Sequence, residues 1–568
     1  MVTLVWLAGA CKEKPPVIPD PEEVPETDIA LDELEDKFNY EEGMIVDARY
    51  FQGTRTERIV LNEAEVEDPV TLDLSEAGYY RIEIFTGSEP DSQPQVIRVV
   101  VLDPERGTPE WGLKPWTPSG VVPEMIGSQE IHLVYPGSVP AGAVYPMVAL
   151  VDGALTASLD NLKASIDEKT FLIKRGTGST WISGGDQPAA SLVIDHRSFP
   201  VEPSLMEGDP VGMSGTLEVN TEIPPDSYIR ITGDLTIPAG ISLTIGPGAY
   251  LVIDPEVDIH LEGSLLSQGT SASPVVFTCS DPEEFWGGVI GKGAGNRVEA
   301  AHTLFGRSGF HAGGDYGWGH AHRQALFYSE NGSIRLDHCY MIDHIGQVLY
   351  TESSIAEMTS CLVQRVKTGG QLNHSRVTID HAVFTDFPDD SDDYRDQDND
   401  ALYLVNCVAH ISRSFFMYAK DDGIDSGSGS YGGDVTVTHC RFESIFHEGA
   451  ALSGGISSSD KIQRFYNCYF RDCGQGLELG FSAPNHTVLV DSCRFVQNGI
   501  GIRYGDNYDF GNHGYLYVSN SESLDNVSYD VWNMDREDWV ADTSHMIFDN
   551  VRVSQPNPMY PELNVIGN

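Results

Sequence analysis

The sequence has few basic residues. It contains 35 lysines and arginines against 85 aspartates and glutamates, so the formal net charge is −50 over 568 residues. Nucleic acids and anionic membrane surfaces both need a basic face on the protein that binds them. The charge balance therefore argues against both classes of partner. An anionic polysaccharide stays open, because bound divalent cations can invert the local field.

Long apolar runs are also lacking. No stretch after the N-terminus approaches the ~18 apolar residues that a membrane-spanning helix needs. Residues 1–11, MVTLVWLAGAC, place small residues before Cys11, a pattern that resembles the cleavage site of bacterial lipoproteins. The resemblance implies a lipid on Cys11, anchorage at the bacterial outer membrane with the body outside the cell, and no other membrane contact. Residues 12–39, rich in proline and acid, are then a tether.

Helical periodicity is missing as well, and β character takes its place. The 57 glycines and 32 prolines indicate many turns and therefore many short strands. GYYRIEIF (78–85) and QVIRVVVLD (95–103) alternate as half-buried strands do, and DLSEAGYY (73–80) resembles the tyrosine corner of immunoglobulin-like sandwiches. We predict a small immunoglobulin-like β-sandwich over residues 40–104 and a β-rich connecting region over 105–215.

The remainder, residues 216–568, is a repeat of short β segments. One small residue recurs every 21 to 32 positions, at Cys339, Cys361, Ala382, Ser414, Cys440, Cys468, Cys493 and Ser521. A period in the twenties with β character predicts a solenoid of stacked coils. We therefore predict an all-β protein that is mainly a right-handed parallel β-helix. The recurring cysteines are predicted to be small buried side chains stacked from coil to coil, rather than disulfides.

Acidic residues align at a second position of this repeat. Asp422 and Glu448 lie eight residues past Ser414 and Cys440, and Asp400 is aligned with them after an insertion, with Asp421 and His447 just before Asp422 and Glu448. Strands of neighbouring coils lie ~4.8 Å apart, so the three carboxylates are predicted to form a column on one outer face. Two unit charges ~5 Å apart repel by roughly 3 kcal/mol at an effective dielectric constant near 20. A bound cation, a retained proton or simple exposure to solvent would each relieve this cost.

Four segments in this region resemble motifs of the polygalacturonase-type β-helical glycoside hydrolases. They are DNDAL (398–402), KDDGID (420–425), FHEGA (446–450) and GIRYG (501–505). The resemblance implies that Asp422 is a general acid, while Asp400 and Asp421 activate a water that inverts the anomeric centre. The catalytic residues predicted on this basis are Asp400, Asp422, His447, Glu448 and Arg503.

The segment DDGID also resembles the calcium cluster of the β-helix pectate lyases. This resemblance implies a Ca²⁺ ion that neutralises a uronate carboxylate of the substrate. The predicted calcium ligands are Asp398, Asp400, Asp421, Asp422 and Asp425. A lysine base is expected near Ala451, where this chain has none.

Further candidate residues lie outside these motifs. The glycine-rich insertion FHAGGDYGWGHAHRQ (310–324) is predicted to form a groove wall, although its His-x-His pair is also a possible metal ligand. We predict that Tyr316 and Trp318 stack on sugar rings. Glu478, two coils after Asp422, is predicted to contact the substrate.

Three functions stay open on the sequence. The favoured one is a surface-anchored enzyme that cleaves a polysaccharide, such as one with uronic acids, by hydrolysis or Ca²⁺-assisted elimination. The second is a non-catalytic glycan-binding or adhesive lipoprotein with structural Ca²⁺, which the absent lysine favours over a lyase. The third is a structural spacer. The fold alone cannot separate them, but the grouping of Asp422, His447 and Glu448 with Arg503 favours an enzyme.

Overall fold

The computed structural model describes a large part of the chain. The described residues are 29–31, 37–41, 44–61, 64–66, 70–74, 78–86, 94–102, 130–151, 162–166, 169–183, 188–194, 196–311, 316, 323–387, 399–426, 433–452, 462–480, 486–505, 514–533, 545–555, 560 and 563–566. Cys11 with its predicted lipoprotein segment, Trp318 and Asp398 lie outside these residues.

The described residues are all-β, with no α-helix among them. They accordingly contain no helix with the length and apolar character needed to cross a bilayer. Contacts divide the chain into two units, with the boundary between Glu110 and Trp111. Each unit is described by itself below.

The N-terminal unit contains two small sheets that share one core. The first sheet has the order Ile29–Ala30, Met44–Asp47, Thr71–Leu74. The second has the order Lys37–Glu41, Gln95–Leu102, Gly78–Phe85, Arg58–Leu61, Ala64–Val66, and a short hairpin joins Tyr50–Phe51 to Thr54–Arg55. Val46 and Leu72 of the first sheet and Ile59 and Ile82 of the second are fully buried together. Strands of this unit thus begin before the predicted boundary at residue 40.

The second unit begins with three small sheets over residues 131–205, here called the β-cap; two of them are antiparallel and the third is a parallel pair. One sheet has the order Ile131–Val134, Val144–Val151, Thr177–Ser183. Another has the order Lys169–Ile173, Leu162–Ile166, Ala190–Ile194, Arg197–Val201, and Ser138–Val139 pairs with Ser204–Leu205.

The rest of the second unit is one sheet of 35 strands, in which each strand pairs in parallel with the equivalent strand of the next repeat. Three strands make one repeat, here called a coil, so the sheet folds into three faces. This arrangement is consistent with the predicted parallel β-helix. The sheet begins at Val211–Thr216, five residues before the predicted start.

Strands of the three faces follow each other in turn along the chain. Those of the first face are Thr221–Ile223, Ser242–Ile245, Ser264–Gln268, Ile355–Thr359, Arg376–Asp380, Val408–Ser412, Asp434–Thr438, Ile462–Tyr466, Thr487–Asp491, Tyr515–Ser519 and Met546–Asp549. Those of the second face are Tyr250–Ile253, Val275–Cys279, Val383–Thr385, Phe415–Met417, Arg441–Glu443, Tyr469–Arg471, Arg494–Val496, Glu522–Leu524, Arg552–Val553 and Asn564–Val565. Those of the third face are Ile259–Leu261, Val289–Gly291, Ala325–Glu330, Tyr403–Val405, Ile424–Ser426, Glu448–Leu452, Gln475–Leu479, Ile500–Tyr504 and Tyr529–Asn533. Four long strands continue around a corner, namely Tyr228–Ile237, Arg297–Gly306, Ser333–Glu352 and Leu362–Asn373.

Each coil bends at two corners that are marked by positive φ angles. The first corner separates the first and second faces and is occupied by residues such as His381, His439 and Asn467, with φ of 50°, 55° and 54°. The second corner leads to the third face and is occupied by Asp343, Arg365, Asp386, Tyr418, Ser444, Asp472, Gln497 and Asp525. Asn, Asp and His are enriched among non-glycine residues in this left-handed region.

The interior is filled by ladders of equivalent side chains. The predicted ladder from Cys339 to Ser521 is confirmed, because neighbouring residues of every one of its members are paired in register. Its hydroxyl and thiol groups accept backbone N–H groups of the preceding coil, as in Cys493 N to Ser521 Oγ at 3.0 Å. A second ladder stacks the rings of Phe384, Phe416, Phe442, Phe470 and Phe495 with centroids 4.5 to 5.1 Å apart. The eight cysteines among the described residues are all free and buried.

The β-cap packs on the second face. The outward row of that face runs through Tyr250, Val276, Leu304, Tyr340, Leu362, Val383 and Phe415, and these residues share one core with the β-cap. In the next coils the row continues as Arg441, Tyr469, Arg494, Glu522 and Arg552. The change from apolar to largely charged residues marks the end of the apolar contact between this face and the β-cap.

Candidate functional site

The predicted column of carboxylates lies at the start of the third face. Tyr403 pairs with Asp425, and Ile424 pairs with Ala450, which places Asp400, Asp422 and Glu448 at one repeat position in successive coils. The next coil has Gln475 there, directly paired with Glu448. The column differs from the prediction in being buried, because Asp400, Asp422 and Glu448 are only 3%, 6% and 1% exposed.

Hydrogen bonds link the members of this column. Asp422 N–H donates to Asp400 Oδ1 over 3.2 Å, and Glu448 N–H donates to Asp422 Oδ1 over 3.0 Å. The amide of Gln475 donates to Glu448 Oε1 over 2.5 Å. Each carboxyl group therefore accepts a hydrogen bond from the coil that follows it, which provides part of the compensation that a buried polar group needs.

His447 lies against three carboxyl groups of the site. Its Nδ1 is 3.2 Å from Asp421 Oδ1, 3.6 Å from Asp422 Oδ1 and 2.5 Å from Glu448 Oε2. The side chain of His447 is 17% exposed, whereas those of Asp421, Asp422 and Glu448 are at most 9% exposed. His447 is thus the member of this group that is most open to solvent.

The protonation of the site follows from burial and like charges. Burial raises the pKa of Asp422 well above its ordinary value, and the nearby Glu448 and Asp421 carboxylates raise it further. Burial and the charge of Glu478 likewise raise the pKa of Glu448. Burial opposes a charge on His447, but the hydrogen bond to Asp421 and the surrounding carboxylates outweigh it and raise the pKa of His447 to about 9. At neutral pH the site therefore combines an imidazolium with carboxyl groups that hold protons unusually well.

Arg503 and Glu478 lie beside this group on the outward row of the third face. They are direct neighbours in adjacent coils, and Arg503 Nη1 is 3.2 Å from Glu478 Oε2. Arg503 is only 1% exposed, its Nη1 is also 3.4 Å from Gln475 Oε1, and its guanidinium lies 5.9 Å from the ring of Trp532. The predicted catalytic arginine and the predicted substrate ligand are thus paired with each other.

The other described candidates are Asp425 and Tyr316. Asp425 lies on the outward row, between Tyr403 and Ala451. Tyr316 contacts Tyr328, with ring centroids 5.9 Å apart, and has Lys292 Nζ 4.3 Å above its ring. The row that includes Asp425 reaches Tyr328 only four coils earlier, which at ~4.8 Å per coil is roughly 19 Å away.

The grouped side chains offer few oxygen ligands for the predicted calcium ion. Ca²⁺ takes six to eight oxygen ligands. Among the described residues, only Asp421, Asp422 and His447 form a group whose possible ligand atoms lie within 4.8 Å of one another, and one of these atoms is a nitrogen. This set by itself does not fit Ca²⁺, and calcium stays a prediction for the site.

Comparisons with protein-family models, with curated proteins and with solved structures each find no match to this chain. The function therefore has to be inferred from the residues of the site itself.

Two groups of site residues were missed in the sequence. Gln475 and Trp532 complete the surroundings of Glu448 and Arg503, and the repeat alignment could have identified both by extension to later coils. Lys174 and Arg175 of the β-cap were also missed. They contact the corners that precede the site, and no local pattern links residues more than 200 positions apart.

Proposed function

We propose that the protein cleaves glycosidic bonds of a polysaccharide outside the cell, with the group Asp421, Asp422, His447 and Glu448 as its catalytic centre. The observation that carries the proposal is the contact of His447 with carboxyl groups from two coils. Carboxyl groups that differ in how strongly they hold a proton are what acid–base cleavage of a glycosidic bond requires.

The proposed roles follow from the environment of each group. Asp422, whose carboxyl is buried and retains its proton, is the general acid that protonates the leaving oxygen. Asp421 is the carboxylate that acts together with this acid. The His447 imidazolium, which accepts no proton at neutral pH, stabilises the negative charge of Asp421. Glu448 positions His447 through their 2.5 Å contact.

The spacing of the carboxyl groups bears on stereochemistry. Oxygen atoms of Asp421 and Asp422 lie within 4.8 Å of each other. Inverting glycosidases typically separate their two carboxyl groups by about 6.5–9.5 Å to admit a water, and retaining enzymes by about 5 Å. The spacing thus supports retention, in contrast to the inversion implied by the resemblance to polygalacturonases. NMR of the anomer formed first distinguishes the two outcomes.

Location and finer fold features belong to the same proposal. We propose anchorage at the outer membrane through a lipid on Cys11, a right-handed coil, and an immunoglobulin-like character for the N-terminal sandwich. The hand has general support, since about 98% of crossover connections between parallel strands are right-handed. Two sheets around one core support the sandwich.

One observation favours a non-catalytic glycan-binding protein instead. The carboxylates of Asp400 and Asp422 accept backbone N–H groups in the same way as Asn526 Oδ1, which accepts the N–H of Asn498 over 3.0 Å. A side chain whose main role is to accept a hydrogen bond from the backbone of the adjacent coil can be structural.

A polysaccharide panel tests the proposal. The protein is incubated with neutral and uronic-acid-containing polysaccharides, with and without EDTA, while new reducing ends and absorbance at 235 nm are followed. Hydrolysis gives reducing ends without absorbance, and elimination gives both. Loss of activity in EDTA that Ca²⁺ restores would support calcium. Retention of a polysaccharide on an affinity gel without either product would favour the binding protein.

A further inference from the structure

A tight hairpin of the β-cap brings two basic side chains to the coils. The strands Lys169–Ile173 and Thr177–Ser183 are joined through Lys174, Arg175 and Gly176. Arg175 and Gly176 have φ of 49° and 86°, and backbone hydrogen bonds connect Lys174 and Thr177 in both directions at 2.8 and 2.9 Å. These are features of a two-residue turn with positive φ at both central positions. Lys174 and Arg175 at the tip are 8% and 7% exposed.

The two basic side chains contact acceptors on three successive coils. Lys174 Nζ contacts the carboxylate of Asp386 and lies 3.8 Å from the centre of the Tyr418 ring. Arg175 binds both oxygens of Glu443, with Nε 2.8 Å from Oε2. Pairing of Thr385 with Met417 and of Met417 with Glu443 places these acceptors in consecutive coils at the second corner.

The same three coils carry the acidic column. Tyr418 precedes Asp421 and Asp422 by three and four residues, and Glu443 precedes His447 and Glu448 by four and five. Tyr418 and the residue after Glu443, Ser444, are corner residues with φ of 53° and 54°. The dihedral angles at these corners set the direction in which the short segments enter the third face.

We propose that the Lys174–Arg175 hairpin is a positioning element for the catalytic centre, acting through the corners of the coils from which Asp421, Asp422, His447 and Glu448 project. The inference rests on the proposed function for its effect on turnover, but its effect on the geometry of the site is independent of that function.

Docking of the β-cap does not by itself require these charges. The apolar row through Tyr340, Leu362 and Val383 already packs against the β-cap, and Trp181 Nε1 donates to Asp343 Oδ2 over 2.5 Å at an earlier corner. Buried ion pairs are often no more stabilising than apolar residues of similar volume, but they restrict geometry. A bidentate Arg–carboxylate pair in particular specifies orientation as well as distance.

The test compares Arg175→Gln with Trp181→Phe by hydrogen exchange. The amides of Asp422 and Glu448 donate to the carboxylates of Asp400 and Asp422, so their exchange reports on the column directly. We expect exchange at these two amides to become about tenfold faster in Arg175→Gln. In Trp181→Phe, which alters docking two coils before Asp386, the same amides should exchange as in the wild type.

A kinetic arm uses the substrate found with the polysaccharide panel. We expect kcat to fall about tenfold or more in Arg175→Gln with KM nearly unchanged, and Arg175→Lys, which keeps the charge, to recover part of it. Faster exchange at Asp422 and Glu448 without turnover in any variant would support the positioning role and count against the proposed function.

Unchanged exchange at Asp422 and Glu448 in Arg175→Gln overturns the inference, whatever the activity. Equal acceleration in Arg175→Gln and Trp181→Phe also overturns it, because the hairpin would then act only in docking. If Arg175→Gln does not fold, Lys174→Met takes its place with the same expectation for the amide of Asp422.

Discussion

At the scale of single residues, the site depends on which carboxyl groups keep their protons. Asp422 accepts the N–H of Glu448 and faces His447 Nδ1 over 3.6 Å. Burial and two neighbouring carboxylates raise its pKa. A residue in this environment can donate a proton at a pH where an exposed aspartate cannot.

Replacement of this carboxyl group tests its role. We expect Asp422→Asn to lower kcat by about 10²–10⁴-fold, the usual contribution of a general acid, while the Tm stays within a few degrees of the wild type. An amide keeps the oxygen that accepts the Glu448 N–H and is uncharged, as the protonated carboxyl is, so folding should tolerate it. Asp434→Asn, on the first face, is the control and should keep most of the activity. A large drop in Tm for Asp422→Asn would instead assign the column a structural role.

A second prediction at this scale concerns His344, which is buried as a neutral ring. The N–H and the hydroxyl of Ser308 both lie within hydrogen-bond distance of its Nδ1, at 3.2 and 2.7 Å. Burial lowers the pKa of His344 to about 3, against the opposing charge of Asp343. Because the folded-state pKa is below that of the unfolded chain, His344 contributes stability above pH ~6.5 that is lost as the pH falls toward 3.

Between pH 6.5 and 5 this one group should reduce the free energy of unfolding by about 2 kcal/mol, since each pH unit corresponds to ~1.4 kcal/mol. Urea unfolding of the wild type and of His344→Gln at both pH values measures the difference. The variant should show the smaller pH dependence. An identical slope in both proteins would contradict the prediction.

At the scale of structural elements, the coil is specified by one small ladder residue and two corners. The ladder position alternates among Cys, Ser and Ala, and a hydroxyl there can bond as the thiol does. Ser414 Oγ, for example, accepts the N–H of Ala382 over 3.1 Å and donates to Ser412 O over 2.7 Å. The space at this position is small, because Phe442 and Phe470 stack 4.5 Å apart in the same core.

Substitutions at Cys468 test the ladder. We expect Cys468→Ser to change the free energy of unfolding by less than about 1 kcal/mol, because Ser occupies the equivalent place at Ser521. Cys468→Leu should cost about 1–3 kcal/mol or more through overpacking. Chemical unfolding of the two variants measures both values. A leucine variant as stable as the wild type would mean that the coil has free space at this position.

At the scale of the whole molecule, the dominant property is the charge of −50. Folding concentrates this charge, so self-repulsion destabilises the compact state. Ion pairs such as Arg230–Asp254 at 2.8 Å and Arg335–Glu357 at 3.0 Å involve only a minority of the acidic residues, because basic residues are few.

Salt should therefore stabilise the protein. Added NaCl shortens the range of the repulsion, from a Debye length of ~30 Å at 0.01 M to ~3 Å at 1 M. We expect the Tm to rise by about 1 °C or more as NaCl increases from 0.01 to 0.5 M, which for a unit of this size corresponds to roughly 1 kcal/mol. Calorimetry over a NaCl series measures this shift, with equal concentrations of sucrose as a control for solute exclusion. A Tm that falls with salt would show that ion pairs outweigh the repulsion.

Much of the fold and part of the site could be predicted from the sequence. The ladder from Cys339 to Ser521 and the alignment of Asp400, Asp422 and Glu448 follow from a repeat in which each coil must present a small or apolar residue to the same interior. Such constraints recur every 21 to 32 residues, and a periodic pattern therefore reveals them. The catalytic and calcium roles remain predictions.

The sequence by itself determined the all-β coil, its register and the stacking of acids in one column, because these depend on inward positions that repeat along the chain. Only the tertiary structure decided that the column is buried, that His447 lies among its carboxyl groups, and that Lys174 and Arg175 contact the coils that carry it. The first two features depend on side-chain packing between adjacent coils, and the third depends on the β-cap, whose residues contact others more than 200 positions away. Packing between such distant segments leaves no periodic trace, apart from the apolar row from Tyr250 to Phe415 that the β-cap covers.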